Sequence, residues 1–108
     1  MTSKNNQPNF NIMNSEIQIS ELEHIISEKI FIKIEKWNLY LGDAGLARDL
    51  AIQCIGNINK GPFEAAKLSL NSIQVSVGNG NKKISLATMV TETQIIDLEE
   101  ILENFFEN

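Results

Sequence analysis

The amino-acid sequence predicts an α+β fold, a single domain of about four helices with one antiparallel β-hairpin packed against them. Apolar residues recur at helical spacing in four segments, each bracketed by capping or chain-breaking residues. One further segment, IQVSV-GNGN-KKISLA, switches to alternation with period two around a turn sequence. The composition suits one soluble core: 43% of the 108 residues are hydrophobic and 21% are charged. A chain of this length buries roughly 60 to 70% of its unfolded surface.

The first fourteen residues, MTSKNNQPNFNIMN, have neither the basic nor the apolar region of a secretory signal. They are expected to form a disordered polar tail, residues 1–14, ahead of a domain at 15–108, and Met13 is an alternative start. The first helix is expected over about 20–41. Ser20 and Glu23 make a capping box, and Ser15 with Gln18 offers another one turn earlier. Gly42 suits the left-handed residue that follows a helix end.

On a 3.6-residue wheel this helix has two apolar sides. Ile26, Ile30, Ile34, Trp37 and Leu41 form one, and Ile25, Ile32 and Leu39 form the other. That pattern predicts a central helix covered from both sides, or a second stripe kept for a homo-oligomer contact through Ile25, Ile32 and Leu39. Lys29, Lys33 and Lys36 lie between the stripes, where lysine stems can lie on apolar neighbours while the ammonium groups stay in water.

Asp43 is placed to cap a second helix at about 43–56, and Gly61-Pro62 to open a third at about 62–71. The hairpin follows over about 73–87. A two-residue type I′ turn at Asn79-Gly80 sets Val75 opposite Ile84 and Ile73 opposite Leu86, all on one face. The last helix spans about 91–106, with Thr91 and Gln94 as capping box, Val90 and Ile95 as hydrophobic staple, and Ile95, Leu98, Leu102 and Phe105 as buried stripe. Its other face carries Asp97, Glu99, Glu100, Glu103 and Glu107, expected to be solvated.

Several functions are disfavoured by the residues present. A net charge of −5 and a pI near 4.8 leave no broad electrostatic footprint for nucleic acid. No apolar run approaches the roughly 20 residues of a transmembrane helix. The single cysteine, Cys54, excludes an internal disulfide or a CxxC site, which points to a cytoplasmic or membrane-peripheral setting. Cys54 follows Leu46 and Leu50 on an apolar face and is expected to be a buried small hydrophobe. His24 and Glu28 share a helical face, but no third ligand is placed for a metal. GxSxG, HExxH and P-loop patterns are missing, so neither catalysis, nor a metal, nor a cofactor is expected.

The densest segment is KWNLYLGDAGLARDL, Lys36 to Leu50. Most of it suits a helical corner, with Gly42 ending one helix, Asp43 starting the next, and Gly45 allowing close approach. Trp37, Tyr40, Arg48 and Asp49 are left over, and Trp, Tyr and Arg are the types that dominate interfaces when exposed.

This stretch, with the GP turn, the IQVSVGNGN hairpin and the terminal LEEIL helix, resembles a family of small uncharacterised cyanobacterial proteins, some of them labelled thylakoid-associated. The similarity runs from about Ser20 to Phe105. Its most specific part is the pattern of Trp37, Tyr40, Leu41, Asp43, Ala44 and Leu46. The resemblance implies an intracellular photosynthetic host and a peripheral position at thylakoid membranes, and it supplies no catalytic residues.

The expected function is a non-catalytic interaction or assembly protein of the cytoplasm, docking at thylakoid membranes through a protein partner. Its contact surface would be Lys29, Lys33, Lys36, Tyr40 and Arg48. The alternative is a carrier of a small apolar ligand, a pigment or lipid, in a cleft between the first helix and the hairpin lined by Ile34, Trp37, Val75 and Ile84.

Overall fold

The computed structural model describes residues 3–34, 36–78 and 80–107, with side chains described from Ser15 onward. Helix α1 runs Ser3–Lys29, so its backbone also covers residues that the sequence assigns to a polar tail. Strands β1 (Phe31–Ile34) and β2 (Trp37–Tyr40) follow, then the one-turn helix α2 (Leu41–Ala44) and α3 (Ala47–Asn57). A 3₁₀ turn at Ile58–Lys60 leads to α4 (Pro62–Ser72), strands β3 (Gln74–Val77) and β4 (Lys82–Ser85), a second 3₁₀ turn at Leu86–Thr88, and α5 (Glu92–Phe106). The α+β class holds, with two antiparallel hairpins where one was expected.

The main correction concerns the helix expected over 20–41. It ends at Lys29, and the rest of that segment turns back on itself as β1–β2, pairing Phe31 with Tyr40, Ile32 with Leu39, Lys33 with Asn38 and Ile34 with Trp37. Phe31-Ile32-Lys33-Ile34 and Trp37-Asn38-Leu39-Tyr40 are rich in β-branched and aromatic residues, which suit a pleated surface better than a helix. The two helical stripes therefore do not exist as such. Ile26, Ile30 and Leu41 are core, whereas Ile34 and Trp37 are exposed at the hairpin tip. Of the stripe expected to serve a homo-oligomer, Ile32 is 2% exposed, and Leu39 and Ile25 pack half-buried against the core. Neither Ser15 nor Ser20 caps a helix, since both lie inside α1.

The corner after the first hairpin also differs. Asp43 sits inside α2 and caps nothing; α2 ends at Gly45, which takes the left-handed conformation at φ 74°, and α3 begins after Leu46. Gly42, expected to be the left-handed residue, is instead where α2 meets α1: a Cβ built on it would stand 2.8 Å from Ser27 Cβ. The two glycines have exchanged roles.

The later elements match expectation in place and order, but on the last helix Ile101 and Gln94 join Leu98 and Leu102 in the interior, while Ile95, Phe105, Asp97 and Glu99 are half-buried. Pro62 opens α4 behind Gly61. β3 and β4 pair with Val75 opposite Ile84, and Leu86 N–H donates to Ile73 O at 2.8 Å, extending the same register. Asn81 N–H donates to Gly78 O at 3.2 Å across the turn, and Gly80 has φ 82°. The type I′ assignment also depends on Asn79, which lies outside the described residues. Thr91 caps α5, its Oγ1 accepting from Gln94 N–H at 3.2 Å.

One core joins α1, α3, α4 and α5, built from Leu22, Ile26, Leu50, Leu70, Leu98 and Leu102 with Ala51, Cys54, Ala65 and Ala66 as the small residues between. Each buried leucine contributes roughly 1.5–3 kcal/mol of transfer free energy. The first hairpin rests on this core through Ile32 and Leu39 at its base.

Candidate functional site

The first hairpin is held at its base and open at its tip. Leu41 N–H donates to Ile30 O at 2.9 Å, closing the base of the ladder. Hydrogen-bonded and non-hydrogen-bonded pairs alternate along antiparallel strands, so at the next pair, Phe31–Tyr40, the Phe31 N–H points away from β2. It is taken by Gln94 of α5, whose Oε1 accepts at 2.7 Å. Gln94 is 4% exposed, and its Nε2 donates to Asp97 Oδ2 at 3.1 Å. In a capping box Gln94 would reach back to Thr91; here it reaches across to β1. Phe31 and Tyr40 stack edge to face, with ring centroids 5.2 Å apart.

Beyond this base the side chains leave the body. Trp37 is 75% exposed and its partner Ile34 43%, with Lys33, Lys36 and Asn38 exposed around them. Side chains alternate along each strand, so Ile32, Leu39, Ile34 and Trp37 share one face. Its inner pair enters the core, and its outer pair meets water.

The five residues expected to form one contact surface divide. Lys29, in the last turn of α1, and Tyr40 line a shallow depression of about 370 Å³ together with Glu28, Asp97, Glu100 and Asn104. Three acidic residues there face one lysine, so Lys29 belongs to a mixed-charge setting. Lys33 lies on β1 and Lys36 in the turn, so the lysine row expected along a helix is a pair at the hairpin tip with Lys29 below it. Arg48 stands apart on α3, clamped by α1. Its Nη2 donates to both Glu16 carboxylate oxygens, at 3.0 and 3.2 Å, and its Nη1 lies 3.5 Å from Glu23. The hydrogen bond and charge of Glu16 raise its pKa further.

The residues expected to line an apolar cleft are also divided. Ile34 and Trp37 belong to the first hairpin, not to a helix, while Val75 and Ile84 are half-buried cross-strand partners in the second. His24 and Glu28 do share a face, 3.5 Å apart and exposed. Among the described residues no group of three His, Cys, Asp or Glu side chains is placed to hold a metal ion. Cys54 is fully buried; burial pushes its thiol up to about 12, against a smaller opposing effect of a hydrogen bond with Ser69. The thiol is therefore protonated at neutral pH, which removes the nucleophilic form.

Gln94 and the exposed tip went unforeseen. A buried glutamine at the third position of a capping box gives no local sign of a long-range partner. The tip did have a signal, in the alternation of Ile30, Ile32 and Ile34 and again of Trp37, Leu39 and Leu41.

Residues 19–105 match the family described as Protein of unknown function (DUF3181). The chain belongs to this family. DUF3181 thus covers everything from the middle of α1 to the end of α5, including both hairpins. The chain is also 31% identical over 90 residues to "Thylakoid-associated protein slr0729" of Synechocystis sp. (strain PCC 6803), an alignment covering 82% of this chain and 89% of the relative. No solved structure matches the chain. Among the described residues no helix is long and apolar enough to cross a membrane.

Proposed function

We propose that this DUF3181 protein is a non-catalytic interaction protein held at the periphery of thylakoid membranes, with the first hairpin as its docking element. One observation carries the reading: an exposed Trp37–Ile34 pair flanked by Lys33 and Lys36, on a hairpin whose base is fastened by Ile32, Leu39 and Gln94. A tryptophan left in water on a fixed scaffold is what a recognition surface requires, because the scaffold has already borne the entropy of positioning it. The thylakoid setting is supported by the name of the Synechocystis relative. The non-catalytic reading is supported by the protonated, buried Cys54 and by the exposed position of His24, which does not meet it.

Fractionation of host cells tests this. The native protein is expected to pellet with membranes and to be released by a high-salt wash. The double variant Lys33→Glu/Lys36→Glu should stay in the supernatant with an unchanged melting temperature. Native protein that remains in the supernatant after gentle lysis overturns the reading.

A further inference from the structure

Starting from the peripheral placement proposed above, we infer that the first hairpin docks directly on an anionic lipid surface: Trp37 and Ile34 enter the headgroup region while Lys33 and Lys36 rest on the lipid charges. Ile34 and Trp37 are the last cross-strand pair before the turn, and Lys33 and Asn38 on the opposite face are exposed as well. A tip open on both faces projects beyond the body. It is also small. A tryptophan side chain offers roughly 150–250 Å², far below the ~800 Å² that each partner of a standard protein–protein interface contributes. A bilayer interface sets no such area requirement, and it accepts a single indole whose apolar ring is buried and whose N–H stays among polar groups.

Charge selects the kind of surface. The chain has a net charge of −5, yet residues 29–40 contain three lysines and one acidic residue, Glu35. Lys29 sits at the hairpin base with Glu28, Asp97 and Glu100, so the lipid contact falls to Lys33 and Lys36 at the tip. An anionic surface attracts these two lysines and repels the acidic residues at the hairpin base, so the attraction is greatest with the tip foremost. The second hairpin supplies a contrast within the molecule. It carries Lys82 and Lys83, but its turn is Gly78-Asn79-Gly80-Asn81 and its apolar residues Val75, Val77 and Ile84 are half-buried. It has the charge without an apolar point to insert.

Trp37 is the only tryptophan of the chain, so its fluorescence reports on the tip alone. The test uses purified full-length protein with vesicles of phosphatidylglycerol and phosphatidylcholine in equal parts, against vesicles of phosphatidylcholine only. A saturable blue shift and co-sedimentation with the anionic vesicles are expected, weakened by salt. Trp37→Ser, followed by sedimentation, should lose at least tenfold in affinity, and Lys33→Glu and Lys36→Glu at least about fivefold each. All three positions are exposed, and circular dichroism confirms that the variants fold. Absence of a blue shift, or binding that Trp37→Ser leaves unchanged, overturns the inference. So does native protein that pellets with thylakoid membranes but ignores lipid vesicles and is lost from protease-treated membranes. That outcome identifies a protein receptor and leaves the peripheral reading standing.

Discussion

The two hairpins have the same strand lengths and the same antiparallel pairing, yet they meet water differently. In β3–β4 the apolar residues lie toward the base, where Ile73 and Leu86 are buried, and the tip is a run of glycine and asparagine. In β1–β2 the apolar face continues to the last pair, so that Ile34 and Trp37 stand clear of the core. A glycine-asparagine tip shows what the chain does when a turn needs only to reverse direction. Isoleucine and tryptophan at the equivalent place are more than reversal requires, and that excess is what the docking proposal rests on.

Five substitutions probe the contrast. Ile32→Ala and Leu86→Ala remove equivalent anchors from the two bases, and each should lower stability by about 2–5 kcal/mol in denaturant unfolding. A loss at Ile32 much smaller than that at Leu86 breaks the claim that both bases belong to one core. Gln94→Ala leaves the part-buried Phe31 N–H without its acceptor and should cost about 1–3 kcal/mol, with faster exchange of that amide, a loss for which the second hairpin has no counterpart among the described residues. Gly80→Ala forces a left-handed conformation on a residue with a side chain and should cost about 1 kcal/mol by the same unfolding measurement. Trp37→Ser should change stability by less than about 0.5 kcal/mol. A larger drop in its melting temperature would show that the tip packs against the body and is not free to dock.

The same contrast explains what could be read from the sequence. Val75 opposite Ile84 was legible because the turn residues and the alternating pattern specify one register between them, within a dozen positions. Thr91 as cap of α5 was equally local. The segment from Ile30 to Leu41 supports two periodicities with the same residues: Ile26, Ile30, Ile34, Trp37 and Leu41 wind into a helical stripe, and Ile30, Ile32 and Ile34 alternate as a strand. Capping residues at Ser20 and a glycine at position 42 favoured the helix, but such signals permit an end without requiring one. The choice is influenced from outside the segment, by Gln94, which supplies the acceptor for the outward N–H of β1. Of the candidate surface, Lys33 and Lys36 kept their place beside an exposed aromatic residue because sequence neighbours on a hairpin stay neighbours. Arg48 did not, since its partners Glu16 and Glu23 lie far back along the chain.

Gln94 comes 63 positions after Phe31. A ribosome therefore delivers the strands of the first hairpin early and their fastening residue almost last. A two-stranded hairpin is marginal in water by itself, and closing so long a loop has to wait for the elements between to condense. During synthesis, the Gln94 contact to Phe31 cannot form until α5 emerges and docks. The hairpin base thus gains this hydrogen bond late, and a chain truncated before Gln94 would present the same strands with the Phe31 N–H lacking that acceptor.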